Sequence, residues 1–288
     1  MLKITQKTLN CRGRLVDLTV PKVMGILNVT PDSFYAGSRL DVGREVAVAA
    51  QMLNEGATFL DVGGYSTRPG AAEVSALEEA DRVLPVIEGI LDSFPDALIS
   101  VDTFRADVAR LAVEQGAVLI NDVGGGTLDP AMFATVAALS VPYILMHMRG
   151  TPQTMQAMAT YQTVTLEVID ELAGQLAQLR THDASGTLPV DVILDPGFGF
   201  AKTIDHNFQL LNELPALACV FDEPLLVGVS RKTTIWKTLN VTANEALNGT
   251  TVLNTAALLK GASILRVHDV REAVEAVLLT ERLKKVYC

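Results

Sequence analysis

The sequence alternates eight times between a short apolar segment, typical of a buried β-strand, and a longer amphipathic segment, typical of an α-helix. Several of the predicted helices end at a glycine that leads into the next strand, as at Gly56, Gly116 and Gly261. Eight such units predict an α/β fold, a (β/α)8 TIM barrel of parallel strands surrounded by helices. An open doubly wound sheet gives the same local pattern. The count of eight and the lack of a G-x-G-x-x-G turn after the first strand favour the barrel.

The hydrophobic periodicity places each element on the chain. The predicted strands are Val23–Asn28, Thr58–Gly63, Leu98–Asp102, Val118–Asp122, Pro142–His147, Asp191–Asp195, Pro224–Val229 and Ser263–Val267. The predicted helices are Asp41–Glu55, Ser75–Asp92, Arg105–Gln115, Pro130–Leu139, Tyr161–Arg180, Asp205–Leu214, Asn244–Lys260 and Asp269–Lys284. The predicted helix N-caps are Asp41, Ser75 and Asp205.

Residues 1–21 precede the first barrel strand and predict a β-hairpin that turns at Arg12-Gly13 and ends at Pro21. We expect this hairpin to plug or cover the barrel. The sequence contains no obvious linker, and single barrels often reach 288 residues. The whole chain, residues 1–288, is therefore predicted to form one domain.

Composition limits the class of partner and the compartment. The net charge of −10 argues against nucleic acid or an anionic membrane surface as the main partner. No apolar run is long enough to span a bilayer, and no secretory leader is evident. Three cysteines without paired spacing, Cys11, Cys219 and Cys288, favour reduced thiols over disulfides or a zinc site. We therefore expect a soluble, cytoplasmic protein.

The polar residues with useful chemistry lie at the carboxyl ends of the predicted strands, where the active sites of barrels form. Ile193-Leu-Asp-Pro-Gly-Phe-Gly-Phe-Ala-Lys202 shows the pattern, because a strand ends in Asp195 and opens into a loop with glycine and aromatic residues. Taken alone, Asp195 is equally well explained as a cap of the following helix. The recurrence of Lys, Arg and His at other strand ends favours function, since caps do not need these residues.

The strand-end residues divide by chemistry into two groups. Carboxylates and an amide suit a flat heterocycle with adjacent N–H donors, with a cation beside them. Cations, a histidine and an amide suit phosphate or pyrophosphate, with Mg²⁺ as a further expected ligand. The first group is Asp102, Asn121, Asp195 and Lys232, and the second is Asn28, Arg68, Arg266 and His268. Solvated charge at a strand end is the alternative explanation of the pair Arg266 and His268.

In this order the motifs resemble those of the dihydropteroate synthases, which belong to the pterin-binding barrel family. The resemblance covers nearly the whole chain after the hairpin. It rests on Met24-Gly-Ile-Leu-Asn28-Val-Thr-Pro-Asp-Ser-Phe34, Asp61-Val-Gly-Gly, Ser66-Thr-Arg-Pro-Gly-Ala71, Ser100-Val-Asp102-Thr, Ile120-Asn121-Asp122, Leu194-Asp195-Pro-Gly-Phe-Gly-Phe200, Val229-Ser-Arg-Lys232 and Arg266-Val-His268.

The resemblance implies a transferase that joins 6-hydroxymethyl-7,8-dihydropterin diphosphate to 4-aminobenzoate, giving 7,8-dihydropteroate and diphosphate. It implies a pterin site at Asp102, Asn121, Asp195 and Lys232, and a diphosphate site at Asn28, Arg68, Arg266 and His268, with Mg²⁺ near Asn28. Ser66, Thr67, Pro69 and Thr233 would serve the aminobenzoate. Further substrate contacts would come from Met146, Phe200 and Gly228. The catalytic set would be Asp102, Lys232, Arg266, His268 and Asp32, and a homodimer is expected.

Two positions depart from the family pattern. Ala36 stands where the first loop commonly has a second Asp, so Asp32 would have to serve instead. Tyr65 stands where the family usually has Glu. These departures leave open a weak or inactive pterin-binding paralogue. A corrinoid-dependent methyltransferase that uses methyltetrahydrofolate is a further alternative, although it would not need the basic residues as a diphosphate site.

Overall fold

The computed structural model describes residues 7–29, 42–66, 73–182 and 190–286. Within these ranges ten β-strands and ten α-helices follow one another along the chain. The strands are β1 (Thr8–Cys11), β2 (Arg14–Asp17), β3 (Lys22–Asn28), β4 (Phe59–Gly63), β5 (Leu98–Asp102), β6 (Leu119–Asp122), β7 (Tyr143–Met146), β8 (Val192–Asp195), β9 (Leu226–Val227) and β10 (Ile264–Val267). The helices are α1 (Val42–Asn54), α2 (Ala76–Ser93), α3 (Ala106–Gln115), α4 (Met132–Leu139), α5 (Val164–Arg180), α6 (Ile204–Asn212), α7 (Leu214–Val220), α8 (Thr233–Leu239), α9 (Leu247–Leu259) and α10 (Val270–Val286).

The eight strands β3 to β10 form one parallel sheet in the order β8-β7-β6-β5-β4-β3-β10-β9. A parallel bridge between Leu194 of β8 and Leu225, just before β9, joins the two ends of this sheet. The amide of Leu194 donates to the carbonyl of Pro224 at 2.9 Å. The TIM barrel predicted from the sequence is therefore confirmed, and the open sheet is excluded by this closure.

Parallel strands covered by helices bury both faces, which accounts for the continuous apolar runs in the sequence. The outer faces of the strands and the inner faces of the helices form the large core, in which residues such as Leu60, Ile87 and Leu265 are fully buried. The glycine helix ends are also confirmed, since Gly56, Gly116 and Gly261 have φ of 101°, 122° and 101°. In the described ranges no helix combines the length and apolar composition needed to cross a membrane.

The amino-terminal hairpin, β1 and β2, turns at Arg12 and Gly13 as predicted. One of its faces is apolar and buries Leu9, Cys11, Val16 and Leu18. These side chains pack on inward-pointing residues near the amino-terminal ends of the barrel strands: Met24, Phe59, Leu119, Ile144, Ile193, Leu226 and Ile264. The hairpin thus covers the end of the barrel opposite to the predicted site.

The sequence missed two short helices, α7 and α8. The predicted helix Asp205–Leu214 ends where α7 begins, and Pro215 lies in the first turn of α7, where its fixed φ is favourable. Helix α8 has only seven residues, too few for a periodic pattern. Ser75 is confirmed as an N-cap by its hydrogen bond from the amide of Glu78 at 3.1 Å. The predicted N-cap Asp205 is wrong, because Thr203 caps α6 and accepts from the amide of His206.

Asp41, the third predicted N-cap, lies outside the described residues. The same holds for Asp32, Thr67, Arg68 and Pro69 of the predicted site, and for Ala36.

Candidate active site

A buried cluster of charged and amide groups lies at the carboxyl ends of β4, β5, β6 and β10. Arg266 donates from Nε to Oδ2 of Asp61 at 2.6 Å and from Nη2 to Oδ2 of Asp102 at 2.5 Å. The same Oδ2 of Asp61 accepts a hydrogen bond from Nδ2 of Asn121 at 2.8 Å. Asp61 and Asn121 are buried, and Arg266 is partly buried. One carboxylate therefore orients both a cation and an amide.

The end of β8 brings a third carboxylate to this cluster, and the segment between β9 and α8 brings a second cation. Asp195 is buried, and its Oδ1 accepts from the amide of Gly197 at 2.8 Å. Lys232 donates from Nζ to the carbonyl of Phe198 and lies 4.8 Å from the centre of the Phe200 ring. A Cβ at Gly228 would lie 3.8 Å from Cβ of Arg266 and 3.9 Å from Nζ of Lys232. Gly228 thus leaves room between the two cations.

Burial and nearby opposite charges shift the pKa values of these groups in opposite directions. Burial raises the pKa of Asp102 to about 7, although the Arg266 guanidinium favours the carboxylate. Burial also raises the pKa of Asp195, and the charge of Lys232 opposes that shift. Burial lowers the pKa of Lys232 to about 8, against the attraction of Asp195. Burial by itself would lower the pKa of Arg266, but the negative charges of Asp61 and Asp102 raise it above the ordinary value.

Three further described residues of the predicted site lie at or just beyond the carboxyl ends of barrel strands. Asn28 ends β3 beside Gly63, and a Cβ at Gly63 would lie 3.3 Å from Cβ of Asp102. His268 is exposed, and its Nδ1 lies 3.0 Å from Oγ of Ser230. Thr233 is the exposed first residue of α8, next to Lys232.

Apolar side chains form one wall beside the charged groups. Met146 lies next to Asp195 in the register of β7 and β8 and is buried. It packs in a small cluster with Val123, Met148, Met155 and Ala201, and Phe200 packs against this cluster. A flat ring could therefore meet an apolar surface on one side and acids on its edge.

The structure brings Asp102, Asn121, Asp195, Lys232 and Arg266 together, as the strand-end pattern predicts. It also joins the two groups that the sequence analysis separated, because Arg266 contacts the carboxylates. The strand-end pattern assigns no role to Asp61, although this carboxylate is the centre of the cluster. Sequence spacing does not predict the contact between Asp61 and Arg266, because the two residues are 205 positions apart.

Comparisons with known proteins agree with this geometry. The profile of the family described as "Pterin binding enzyme" matches residues 24–268. The dihydropteroate synthase of Escherichia coli (strain K12) is 45% identical over 271 residues, which is 94% of this chain and 94% of that protein. The chain belongs to the dihydropteroate synthase family of pterin-binding enzymes. This family assignment rests on sequence identity along nearly the whole chain and does not depend on the geometry of the site.

Solved structures of dihydropteroate synthases have the same fold. The Xanthomonas albilineans enzyme with 4-aminobenzoic acid has a TM-score of 0.88 and 39% identity, covering 97% of this chain and 99% of that one. The same organism's enzyme in complex with 7,8-dihydropteroate has a TM-score of 0.84 and 36% identity, covering 96% and 98% of the two chains. The barrel mouth described above is therefore the equivalent region of a dihydropteroate synthase fold.

Tyr65, a departure from the dihydropteroate synthase pattern, has a defined environment. Its ring meets Phe104 edge to face at 5.2 Å, and the guanidinium of Arg105 lies 5.3 Å from its centre. Its hydroxyl accepts from Nε2 of Gln153 at 3.2 Å. Aromatic, cation–π and hydrogen-bond contacts thus hold this position, where a family Glu would offer only its carboxylate.

Proposed function

We propose that this chain acts as a dihydropteroate synthase, forming 7,8-dihydropteroate and diphosphate from 6-hydroxymethyl-7,8-dihydropterin diphosphate and 4-aminobenzoate. The observation that carries the proposal is the convergence of Asp102, Asn121, Asp195, Lys232 and Arg266 at one barrel mouth in a chain of this family. A pterin ring needs hydrogen-bond acceptors at its edge and an apolar surface on its face, and this site offers both.

We assign the pterin to the inner part of the site. Asp195 and Asp102 accept hydrogen bonds from ring N–H groups, and the Asn121 amide pairs with a mixed donor and acceptor edge. The amide of Asn121 is already oriented by its 2.8 Å hydrogen bond to Asp61, so little conformational entropy of this side chain is lost when the ligand binds. Met146, Phe200 and Gly228 line the space beside the ring. Lys232 lies between Phe200 and the carboxylates and completes the pocket.

We assign the diphosphate to the outer part, where Arg266 lies near the end of β10 and His268 directly follows that strand. Arg68 is assigned here from the family pattern. Mg²⁺ commonly takes one or two protein oxygens plus phosphate oxygens and water. Asn28 offers one amide oxygen at the mouth. In the described residues there is no cluster of three or more His, Cys, Asp or Glu side chains that could hold a metal. This donor set fits an ion shared with the substrate, whose chemistry would be to stabilise charge on the leaving diphosphate.

The site charges suit a reaction in which the leaving group departs early. The bond between the pterin methylene carbon and the diphosphate oxygen breaks, and its electron pair goes to the diphosphate. Arg266 and His268 stabilise the charge that develops there. The cation left on the pterin methylene is stabilised by resonance and by the carboxylates of Asp61, Asp102 and Asp195. The amine of 4-aminobenzoate then forms the new carbon–nitrogen bond and releases one proton.

We assign 4-aminobenzoate to the rim formed by Ser66, Thr67, Pro69 and Thr233, as the family pattern indicates. Ser66 follows Tyr65 directly in the chain, so the contacts that hold Tyr65 also fix the start of this segment. Asp32 is the family-derived candidate for stabilising the methylene cation from the first loop, in place of the absent Asp at Ala36.

We also propose a homodimer and a cytoplasmic location. The outer surfaces of α9 and α10 carry exposed apolar residues, including Val252, Leu259, Leu278, Leu279 and Leu283. Leu278 and Leu279 are 64% and 68% exposed, and a patch of this kind is typical of an interface between identical subunits. Light scattering should give twice the mass of the chain for wild type, and the mass of one chain for Leu279→Asp. Cys11 and Cys219 are free thiols, as expected in a reducing compartment.

The function is tested by diphosphate release from the pterin diphosphate, measured with and without 4-aminobenzoate. Release that requires 4-aminobenzoate, together with dihydropteroate in the product, supports the synthase. Tight pterin binding without turnover would instead identify an inactive paralogue. Transfer of a methyl group from methyltetrahydrofolate to a corrinoid would replace the proposal by the methyltransferase.

A further inference from the structure

A third cation, Lys202, lies behind the site and is not used by the chemistry above. Its side chain is 3% exposed. Its Nζ donates to the carbonyls of Gly197 and Phe200, both at 3.1 Å, and contacts Nδ1 of His147 at 2.9 Å. An ammonium group has three N–H donors and no acceptor. Each donor of Lys202 therefore has its own acceptor, a level of satisfaction expected for a buried charge with a defined role.

The contacts of Lys202 determine where the protons of the neighbouring groups lie. Because Nδ1 of His147 accepts from Lys202, the ring proton must be on Nε2. Nε2 then donates to Oε2 of Glu171 at 3.0 Å. Glu171 is itself held by Arg149, whose Nε donates to Oε1 at 2.9 Å. Lys202, His147, Glu171 and Arg149 thus form one chain of hydrogen bonds in which each donor meets an acceptor.

The local electrostatics agree with a neutral histidine between a cation and an anion. Burial, followed by the charge of Lys202, lowers the pKa of His147 to about 4. The hydrogen bond from His147 is the main reason that the pKa of Glu171 falls to about 2. Burial lowers the pKa of Lys202 to about 7, and Asp195 opposes this effect. The three acceptors around Nζ favour the ammonium form.

Lys202 acts on the loop between Asp195 and Phe200, which needs external support. Gly197, Gly199 and Ala201 all have positive φ, at 73°, 83° and 48°. This conformation is unfavourable for Ala201, so neighbouring contacts must maintain it. The loop carbonyls of Gly197 and Phe200 both accept from Lys202. Lys202 therefore ties the two halves of the loop together through their backbone carbonyls.

We propose that Lys202 is a positioning residue for pterin binding, and that His147 and Glu171 orient its ammonium group. By holding the carbonyls of Gly197 and Phe200, it fixes the loop in the form in which the Asp195 carboxylate and the Phe200 ring both face the heterocycle. This inference rests on the proposed pterin site. It goes further by assigning a function to a lysine that does not contact the substrate.

The first test is Lys202→Met, which keeps the length of the side chain and removes all three donors. We expect the affinity for a free pterin, measured by calorimetry, to fall by about thirtyfold or more, and the KM for the pterin diphosphate to rise in parallel. The KM for 4-aminobenzoate should change by less than about threefold, since we assign that substrate to the rim of Ser66, Thr67, Pro69 and Thr233. Equal changes in both KM values, or pterin affinity within about threefold of wild type, would overturn the proposal.

The matched control is Ile90→Ala, a truncation in the core side of α2 that lowers stability without contact to the loop. Its urea midpoint should fall, while its affinity for the pterin stays at the wild-type value. If Ile90→Ala weakened pterin binding as much as Lys202→Met does, the effect would be one of general stability and the proposal would fail. Turnover by wild type is measured in parallel, so a failure of the proposed function is seen independently of these binding ratios.

A nitrogen-15 spectrum of the four histidines reports on the network directly, even if Lys202→Met does not fold. His147, assigned with His147→Gln, should be neutral at neutral pH with its proton on Nε2. A proton on Nδ1 in wild type would overturn the proposal. The groups that face His147 are Lys202, Glu171, Arg149 and the ring of Tyr161. Without the charge of Lys202, its titration midpoint should rise by about one pH unit or more.

Discussion

Asp61 provides the sharpest test of the site, because one of its oxygens holds two groups assigned to the substrate. Oδ2 accepts from Arg266 at 2.6 Å and from Asn121 at 2.8 Å, and the side chain is fully buried. Oδ1 has no hydrogen-bond partner among the described residues. The substitution Asp61→Asn keeps the shape and one acceptor but removes the negative charge and places an amide group in this buried position.

The size of the effect follows from these contacts. A hydrogen bond to a charged group contributes about 1.5–3 kcal/mol, and one between neutral groups about 0.5–1.5 kcal/mol. Asp61→Asn turns the bond from Asn121 into the neutral kind, removes the negative charge paired with Arg266, and leaves a buried amide donor without a partner. We therefore expect the free energy of unfolding to fall by about 2–3 kcal/mol. The loss is smaller than for breaking an isolated buried pair, because Arg266 keeps Asp102.

Activity should fall as well, since Arg266 and Asn121 lose their common anchor. We expect kcat/KM for the pterin diphosphate to drop by about tenfold to a hundredfold. The assays are urea unfolding and steady-state kinetics of diphosphate release. Asp191→Asn is the matched control, because Oδ2 of Asp191 accepts from Asn10 of the hairpin, at the other end of the barrel. The reasoning is refuted if Asp61→Asn keeps kcat/KM within about threefold and stability within about 0.5 kcal/mol of wild type.

Three further predictions concern groups with unusual surroundings. The pKa of Asp102 is about 7 in the folded state and near its ordinary value in the unfolded chain, so this group makes the protein lose stability as the pH rises to about 7. The difference between the urea midpoints at about pH 5 and about pH 8 should therefore be smaller in Asp102→Asn than in wild type, and an identical difference would contradict the shift. Tyr143→Phe removes the 2.6 Å hydrogen bond to the buried Asp122 carboxylate, so the free energy of unfolding should fall by about 1.5–3 kcal/mol in denaturant titrations; a loss below about 0.5 kcal/mol would show that this bond does not stabilise the folded state as a charged hydrogen bond. Gly197→Ala would place a Cβ 1.9 Å from the carbonyl oxygen of His147 at a φ of 73°, so pterin affinity should fall below detection in calorimetry, and wild-type affinity would mean that the loop takes another conformation.

Most of the fold could be predicted because burial in a parallel barrel produces characteristic patterns of apolar residues within each strand and helix. Strands covered on both faces become continuous apolar runs, and helices show apolar residues every three or four positions. Leu98–Asp102 was predicted with its exact bounds. The short helices α7 and α8 were missed because seven residues give too little periodicity to distinguish a helix from a loop.

Much of the site could be predicted as well, because closure of parallel strands brings their carboxyl ends to one rim. For this reason the sequence alone places five residues at one rim: Asp102, Asn121, Asp195, Lys232 and Arg266. Their partners could not be predicted. Asp61 and Arg266 meet across a separation of 205 residues, and their contact depends on how β4, β3 and β10 are ordered and registered.

The contacts of Lys202 are a second example of pairing that the sequence does not predict. In the sequence it is a lysine at the end of a glycine-rich loop, where a solvated side chain is the ordinary expectation. Only the folded chain shows that the loop turns back over it and that two backbone carbonyls and His147 surround its ammonium group. The sequence by itself determined the barrel and the chemistry at its rim, because both follow from local patterns repeated along the chain. The tertiary structure decided which charges are paired and which lysine is buried, because those contacts join residues that only the closed barrel and its folded loops bring within hydrogen-bonding distance.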